Sequence, residues 1–312
     1  MRPFVIVNYF LRNWNYAGYL AARVKRTPSP KLDHMSEAQR LSVAADYALQ
    51  GAKQALQGMR ALVLTGAGIS TDSGIPDYRG AGRTPKHPLT FDSFMGSREL
   101  QVRYWARSFV GWSRIADAVP NPGHIALADA EATGRVLHVV TQNVDALHQA
   151  AGSKNVIDLH GRLDRVRCMS CSQIISRAEM DIILTRLNPG VSKDNEFEFT
   201  PDGDAEIEAY DGFMIPDCAA CGGVLKPDVV FFGEQVPAVT ATFAMEQLGR
   251  ADALVVAGSS LTVNSGLRFV KQAARLGKPI VIVNLGVTKG DQYALAKVEA
   301  STSLVLPELF GA

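Results

Sequence analysis

Cysteine is scarce in this chain: 312 residues contain four, Cys168, Cys171, Cys218 and Cys221. A chain of this length buries a large core without covalent staples, so the scarcity excludes a disulfide-stapled secreted scaffold. An excess of either charge is lacking too, since 32 Lys and Arg face 31 Asp and Glu. With a net charge of +1 no global field attracts a polyanion, and nucleic acid is not expected as a partner. Long apolar runs are also missing. The N-terminal run "PFVIVNYFL" stops at Arg12, short of the roughly 20 residues that span a bilayer, so no membrane partner is expected. The chain carries no internal repeat.

What cysteine there is comes in two C-x-x-C pairs. In a long, otherwise cysteine-free chain this spacing suits four thiolates around one zinc ion in a reducing compartment; redox dithiols or inert buried thiols are the alternatives. Four thiolates leave no open coordination position, so the zinc is expected to be structural. Between the pairs, Asp194 to Asp211 holds acids and no Lys or Arg, the pattern of a solvated loop. Residues 1–35 carry Arg2, Arg12, Arg23, Lys25, Arg26 and Lys31 against Asp33. They read as a disordered basic leader, with a mitochondrial presequence or a translation start at Met35 as the alternatives.

The remaining chain alternates. An apolar stripe from Leu41 to Leu56 predicts a helix from an N-cap at Ser36 to about Gln57. Strand-length apolar runs follow at Leu62–Thr65, Val136–Thr141, Val156–Leu159, Val229–Phe232, Ala253–Ala257 and Ile280–Val283, with a helix at Gly266–Leu276 between the last two. The pattern predicts an α/β fold, a doubly wound parallel Rossmann-like sheet made by 36–161 and 229–312, with a small zinc-binding module inserted at 162–228. Tyr104, Trp105, Phe109 and Trp112 read as ordinary helix core.

Open α/β sheets bind ligands beyond the carboxyl ends of their strands, which directs attention to the residues following each apolar run. After the first comes "GAGISTDSGIPDYRG", in which Thr71 stands where a dinucleotide fingerprint has its third glycine. The amides of Gly66, Ala67 and Gly68 suit a pyrophosphate, Ser259 and Ser260 after Gly258 add hydroxyls, and Asn284 suits a ribose hydroxyl. Gln142, Asn143, Asp145, His148 and His160 share the same crevice. So many polar groups exceed what dinucleotide storage needs and point to cleavage or transfer, with His160, Asn143 and Asp145 as the acid/base grouping.

The motifs "GAGIS", "GIPDYR", "TQNVDALH", "LHG", the two C-x-x-C pairs, "KPDVVFFGE", "GSSL" and "IVNLG" occur in one order over residues 60–286. In them the chain resembles the sirtuins, the Sir2 family of NAD-dependent protein deacylases. "RYWARSFVGW", "PDGD" and "SGLRF" resemble its class II branch of mitochondrial and bacterial members. The resemblance implies that NAD is consumed. Ala67, Ile75 and Asp145 would then line a nicotinamide pocket, and Asp77, Tyr78 and Arg79 would order the loop over the cofactor. Gly66, Gly68, Gln142, Asn143, Gly258, Ser259, Ser260, Asn284, Leu285 and Gly286 would complete its contacts. It further implies that an acyl-lysine carbonyl oxygen attacks C1′ of the nicotinamide ribose. Asn143 holds the ribose or a water and His160 acts as general base. The products are nicotinamide, O-acyl-ADP-ribose and the free lysine. The substrate, an acylated-lysine protein, would lie as an added strand along Val229, Val230, Phe231, Gly233 and Glu234, the first three lining the acyl tunnel.

The Tyr and Arg of sirtuins that remove succinyl or malonyl groups have no clear counterpart in 80–91, where Arg83 and Lys86 are the nearby cations, so uncharged acyl chains are expected to be preferred. A protein mono-ADP-ribosyltransferase would share the site and first step. An NAD-dependent oxidoreductase or a zinc-ribbon nucleic-acid module are rivals of other classes, opposed by the glycine spacing and the neutral charge. A monomer in the bacterial cytoplasm is expected, with the mitochondrial matrix as the alternative compartment.

Overall fold

The computed structural model describes residues 41–77, 89–191 and 211–311. The chain divides at Met35, and every described residue belongs to the unit Met35–Ala312. The leader, Ser36, Tyr78, Arg79, Arg83, Lys86 and the acidic run up to residue 210 lie outside the described residues.

In chain order the elements are α1 (Val43–Ala55), β1 (Ala61–Thr65), α2 (Phe91–Gly96), α3 (Arg98–Asp117), α4 (Pro122–Ala132), β2 (Val136–Thr141), α5 (Leu147–Ala150), β3 (Val156–Asp158), β4 (Gly161–Cys168), β5 (Ile174–Ser176), α6 (Arg177–Leu187), β6 (Leu225–Val229), α7 (Ala238–Arg250), β7 (Ala253–Ala257), α8 (Asn264–Arg275), β8 (Ile280–Val283), β9 (Ala296–Val298) and α9 (Thr302–Phe310). Helix α1 starts later than its apolar stripe predicts. Leu41 and Ser42 precede it in non-helical conformation, and Ser42 Oγ accepts the Ala45 N–H at 3.2 Å, so this serine rather than Ser36 is the N-cap. Ala45, Leu49 and Ala52 recur on one face of the helix and are buried.

Six strands form one parallel sheet in the order β3-β2-β1-β7-β8-β9. β1 and β7 are buried along their whole length, as continuous apolar strands between two helical layers must be. The chain winds outward in one direction from β1 and in the other from β7, so the order reverses between them. A crevice therefore opens beyond their carboxyl ends.

A second sheet, β5-β4-β6, is antiparallel. It corrects the strand expected at Val229–Phe232, because pairing runs over Leu225–Val229 instead and against β4. Beyond β6 the Val230 N–H still reaches His160 O at 2.8 Å, and the chain then turns at Phe231 to Glu234. Gly233 adopts φ +83°, Glu234 N–H donates to Phe231 O at 3.0 Å, and the Glu234 carboxylate accepts the Phe231 N–H at 2.9 Å and Lys226 Nζ at 3.0 Å. The run is apolar because Phe231 packs edge-on against Phe94 and tilted against Tyr104. Those rings belong to a core in which α2 and α3 lie beneath the small sheet, with Trp105 Nε1 donating to Leu225 O at 3.1 Å. Tyr104, Trp105 and Phe109 are thus core, and Trp112 holds the guanidinium of buried Arg177 over its ring at 4.9 Å.

The loops leaving β1 and β7 touch through glycine. Gly258 has φ +65°, and a Cβ there would lie 2.3 Å from Ile69 N. Gly258→Ala is expected to lower stability by at least about 2 kcal/mol, the sum of a left-handed non-glycine residue and the loop displacement it forces. Urea denaturation checks this; an unchanged midpoint would contradict the packing described.

Candidate active site

The same glycines define the crevice floor. Gly66 N–H donates to Ala257 O at 3.2 Å and Gly68 N–H to Gly258 O at 2.8 Å. A Cβ on Gly66 would meet Ser259 Cβ at 2.8 Å, and one on Gly68 would meet Gly258 O at 2.9 Å. Two of the three amides expected to face a pyrophosphate are therefore already bonded. Among the described residues only Ala67 N–H of the three lacks a backbone acceptor. Ala67–Ile69 is a single 3-10 turn, so no long helix backs it. These glycines permit two strand-end loops to pack in backbone contact.

One serine that the sequence reading passed over organises one side of the crevice. Ser70, fully buried, accepts from Asn143 Nδ2 at 3.0 Å and donates to Asp145 Oδ2 at 2.7 Å, while Leu147 N–H donates to Asp145 Oδ1 at 2.9 Å. Its signal in the sequence was a hydroxyl closing a glycine loop just beyond a buried strand. Behind Ser70 stand His124 and His148, their ring centres 4.8 Å apart. His124 Nδ1 accepts the Asn121 N–H at 3.4 Å, so Nε2 carries the proton and faces Ser70 Oγ at 3.5 Å. His148 Nε2 lies 2.9 Å from Thr65 Oγ1. Burial holds both rings down at about 3, with the neighbouring His124 adding to the effect on His148.

His160 lies on the other side. Its Nδ1 is 2.9 Å from Gln142 O and its Nε2 is 2.9 Å from Ser265 Oγ. A carbonyl only accepts, so Nδ1 bears the proton and the Nε2 lone pair accepts from the serine hydroxyl. Burial lowers the His160 pKa below its ordinary value. The Gln142 carbonyl opposes that shift, and the charge of Arg268 reinforces it. No hydrogen bond joins His160 to Asp145 among the described residues. Within the expected grouping Asn143 and Asp145 are bonded through Ser70, while His160 is bonded to Gln142 and Ser265. Gln142 Nε2 donates to Ser259 Oγ at 2.8 Å and to Thr65 O at 3.2 Å. Arg268, quoted within "SGLRF" without a role, has Nε and Nη2 buried with no hydrogen-bond partner among the described residues.

Elsewhere on the rim, Asn284 is buried and donates to Leu285 O at 2.7 Å and Gly286 O at 3.3 Å, shaping its own loop, while Leu285 is exposed. Ser260 Oγ lies 3.2 Å from Thr262 Oγ1. Ile75 is buried with Ile115, Leu147 and Leu163, and Asp77 is half-buried at the last described position of its loop. Val229 and Val230 are half-buried, and the Val230 N–H donates to His160 O at 2.8 Å.

The four cysteines converge away from this crevice, at the end of the small sheet. Cys168 and Cys221 have Sγ atoms 3.5 Å apart, Cys171 and Cys218 3.8 Å, and all four lie within 4.8 Å of one another. Sulfurs bound tetrahedrally at about 2.3 Å to zinc stand about 3.8 Å apart, so the cluster fits that ion. Each pair forms a knuckle, closed by Ser172 N–H on Cys168 O and Gly222 N–H on Cys218 O, with Ser172 and Gly222 left-handed at φ +61° and +71°. The N–H groups of Cys171 and Ser170 approach Cys168 Sγ at 3.5 and 3.4 Å and lower its pKa, while the thiols crowded around Cys221 push that one up.

Residues 66–265 match the Sir2 family. The NAD-dependent protein deacetylase of Xanthomonas campestris pv. campestris (strain 8004) is 55% identical over 252 residues, covering 79% of this chain and 85% of the relative. NAD-dependent protein deacetylase 1 of Mycobacterium avium (strain 104) is 50% identical over 255 residues, 80% of this chain and 90% of the relative. A solved complex described as Sir2 with a p53 peptide and NAD+ superposes with a TM-score of 0.67 at 30% identity, covering 82% of this chain and 94% of that one. A switch-point crevice, a separate four-thiol cluster, and identity of this extent over most of both chains define the class. The chain belongs to the Sir2 family. No helix among its described residues is long and apolar enough to cross a membrane.

The buried histidine pair sets a pH dependence. Below pH 6.5 the unfolded chain protonates these rings, whereas the folded pair stays neutral down to about 3. Their contribution to stability is therefore complete above 6.5 and is lost as pH falls through that window, by about 2 kcal/mol for each ring at about pH 5. Denaturant midpoints should fall between about pH 7.5 and about pH 5, and less steeply in His124→Asn. Identical pH slopes in the two proteins would contradict the assignment.

Proposed function

We propose that the protein removes acyl groups, acetyl or longer, from lysine side chains of proteins, consuming NAD and giving nicotinamide and O-acyl-ADP-ribose. The observation that carries this reading is the state of His160: a neutral imidazole with Nδ1 committed to a carbonyl and a basic Nε2 directed at a hydroxyl. Bound NAD supplies an electrophilic ribose carbon and nicotinamide as leaving group. The chain's residues do the rest. His160 Nε2 takes a proton from a ribose hydroxyl, which burial favours by keeping the ring unprotonated near neutral pH. Asp145 keeps a lone pair on each oxygen beyond those used by Ser70 and Leu147, and these accept a carboxamide NH2. Asn143, oriented by Ser70, holds the ribose or a water. Ala67 N–H and the Ser259–Ser260 loop take the phosphates, and Asn284 to Gly286 form the adenosine side.

In this reading 36–161 with 229–312 is the NAD-binding unit and 162–228 the zinc-binding one, with α2 and α3 packed into the latter's core. The acylated substrate lies between 229–234 and 258–266, and its acyl chain passes Val229 and Val230. The relatives named above are bacterial, and four free thiols suit a reducing interior, which supports a cytoplasmic location.

His160→Ala should lower kcat/KM with an acetyl-lysine peptide by about a hundredfold or more while leaving the melting curve near that of the parent. The acid limb of the parent's pH profile should fall below the ordinary histidine value of 6.5. Near-parental turnover by the variant would remove His160 from the mechanism. The cysteine cluster generates a separate expectation: one zinc per chain by metal analysis, with Cys218→Ser losing metal, stability and activity together. A metal-free protein with full activity would refute the structural site.

A further inference from the structure

The first turn of α8 reaches the base from the side opposite the Gln142 carbonyl. Ser265 is the second residue of that helix, a position where a serine hydroxyl ordinarily bonds nearby backbone. Here its Oγ is bonded to His160 Nε2 at 2.9 Å and has no other partner among the described residues. The neighbouring Gly266 explains how the helix comes so close. A Cβ there would lie 2.6 Å from Gln142 Oε1, so the helix start is seated directly on the residue whose carbonyl anchors the other edge of the imidazole. One residue, Gln142, thus touches both supports of His160. Arg268, one turn further along the same helix, adds its positive charge near the ring.

We infer that Ser265 is a positioning residue for His160. A single hydrogen bond from Nδ1 to a carbonyl leaves the imidazole free to rock about that bond. A second, from the Ser265 hydroxyl to Nε2, fixes the ring plane and keeps the basic nitrogen facing the crevice. The hydroxyl marks the place from which a substrate hydroxyl delivers its proton, and the incoming group takes over the bond that Ser265 makes in its absence. Ser265 is half-exposed, so it yields to that group without opening the core. The inference rests on the general-base reading of His160 and adds to it the residue that aims the base.

The test joins spectroscopy of the unliganded protein to kinetics. With 15N-labelled histidine, the parent should give a protonated Nδ1 and an unprotonated, hydrogen-bonded Nε2 for His160. Ser265→Ala should shift the Nε2 resonance to that of an unbonded nitrogen and lower kcat/KM for NAD about tenfold with kcat little changed, because the bond aims the ring in the free enzyme and is given up to the incoming hydroxyl. Ser265→Thr, which keeps a hydroxyl, should restore the parental resonance and most of kcat/KM. Parental kcat/KM or an unshifted Nε2 resonance in Ser265→Ala, with His160→Ala inactive, would overturn this inference alone. Full turnover by His160→Ala would instead overturn the reading beneath it.

Discussion

Everything in the crevice depends on the backbone contact between the loop after β1 and the loop after β7, held by the Gly68 N–H on Gly258 O at 2.8 Å. Side chains at Gly66, Gly68 or Gly258 would each collide with the opposite loop. Because these loops lie at the point where strand order reverses, their closeness narrows the mouth of the sheet to a single cleft. It also brings Ser259 to Gln142, which carries the anchor for His160. A parallel sheet supplies the strand ends, and glycine sets how near they stand.

From that junction the polar groups divide by chemistry. On one side Ser70 orients an amide and a carboxylate, Asn143 and Asp145, with two neutral imidazoles buried behind it. On the other, His160 is kept neutral and aimed. Burial keeps the proton affinity of His160 low, with the charge of Arg268 adding to the effect. The cysteine cluster takes no part in this electrostatics. It ends the antiparallel sheet whose β4 begins at Gly161, directly after His160, so metal binding and the posture of the base share a strand.

Much of this was legible in the sequence. Continuous apolar runs identified the central strands because a strand buried on both faces needs nothing else. The paired C-x-x-C spacing identified the cluster because four thiolates on two knuckles have few other uses. Val229–Phe232 misled for a physical reason: Phe231 is apolar in order to pack into an aromatic core, and the side-chain bond of Glu234 to the Phe231 N–H closes a turn there. The glycine loop was legible only in part. Its sequence announces close approach, and the loop it approaches in the structure belongs to a segment nearly two hundred residues away. Ser70, Ser265 and Arg268 lay within quoted motifs but were given no role, since a lone serine or arginine acquires meaning only from the partner that the fold places beside it.

The most direct test of the account is stoichiometry in a single reaction. The purified protein is incubated with NAD and one acetyl-lysine peptide, and nicotinamide, free-lysine peptide and reduced cofactor are quantified together. The account requires one nicotinamide for each lysine freed, and no reduced cofactor. Nicotinamide release with the acetyl group retained and ADP-ribose attached to protein, or accumulation of reduced cofactor, would contradict it.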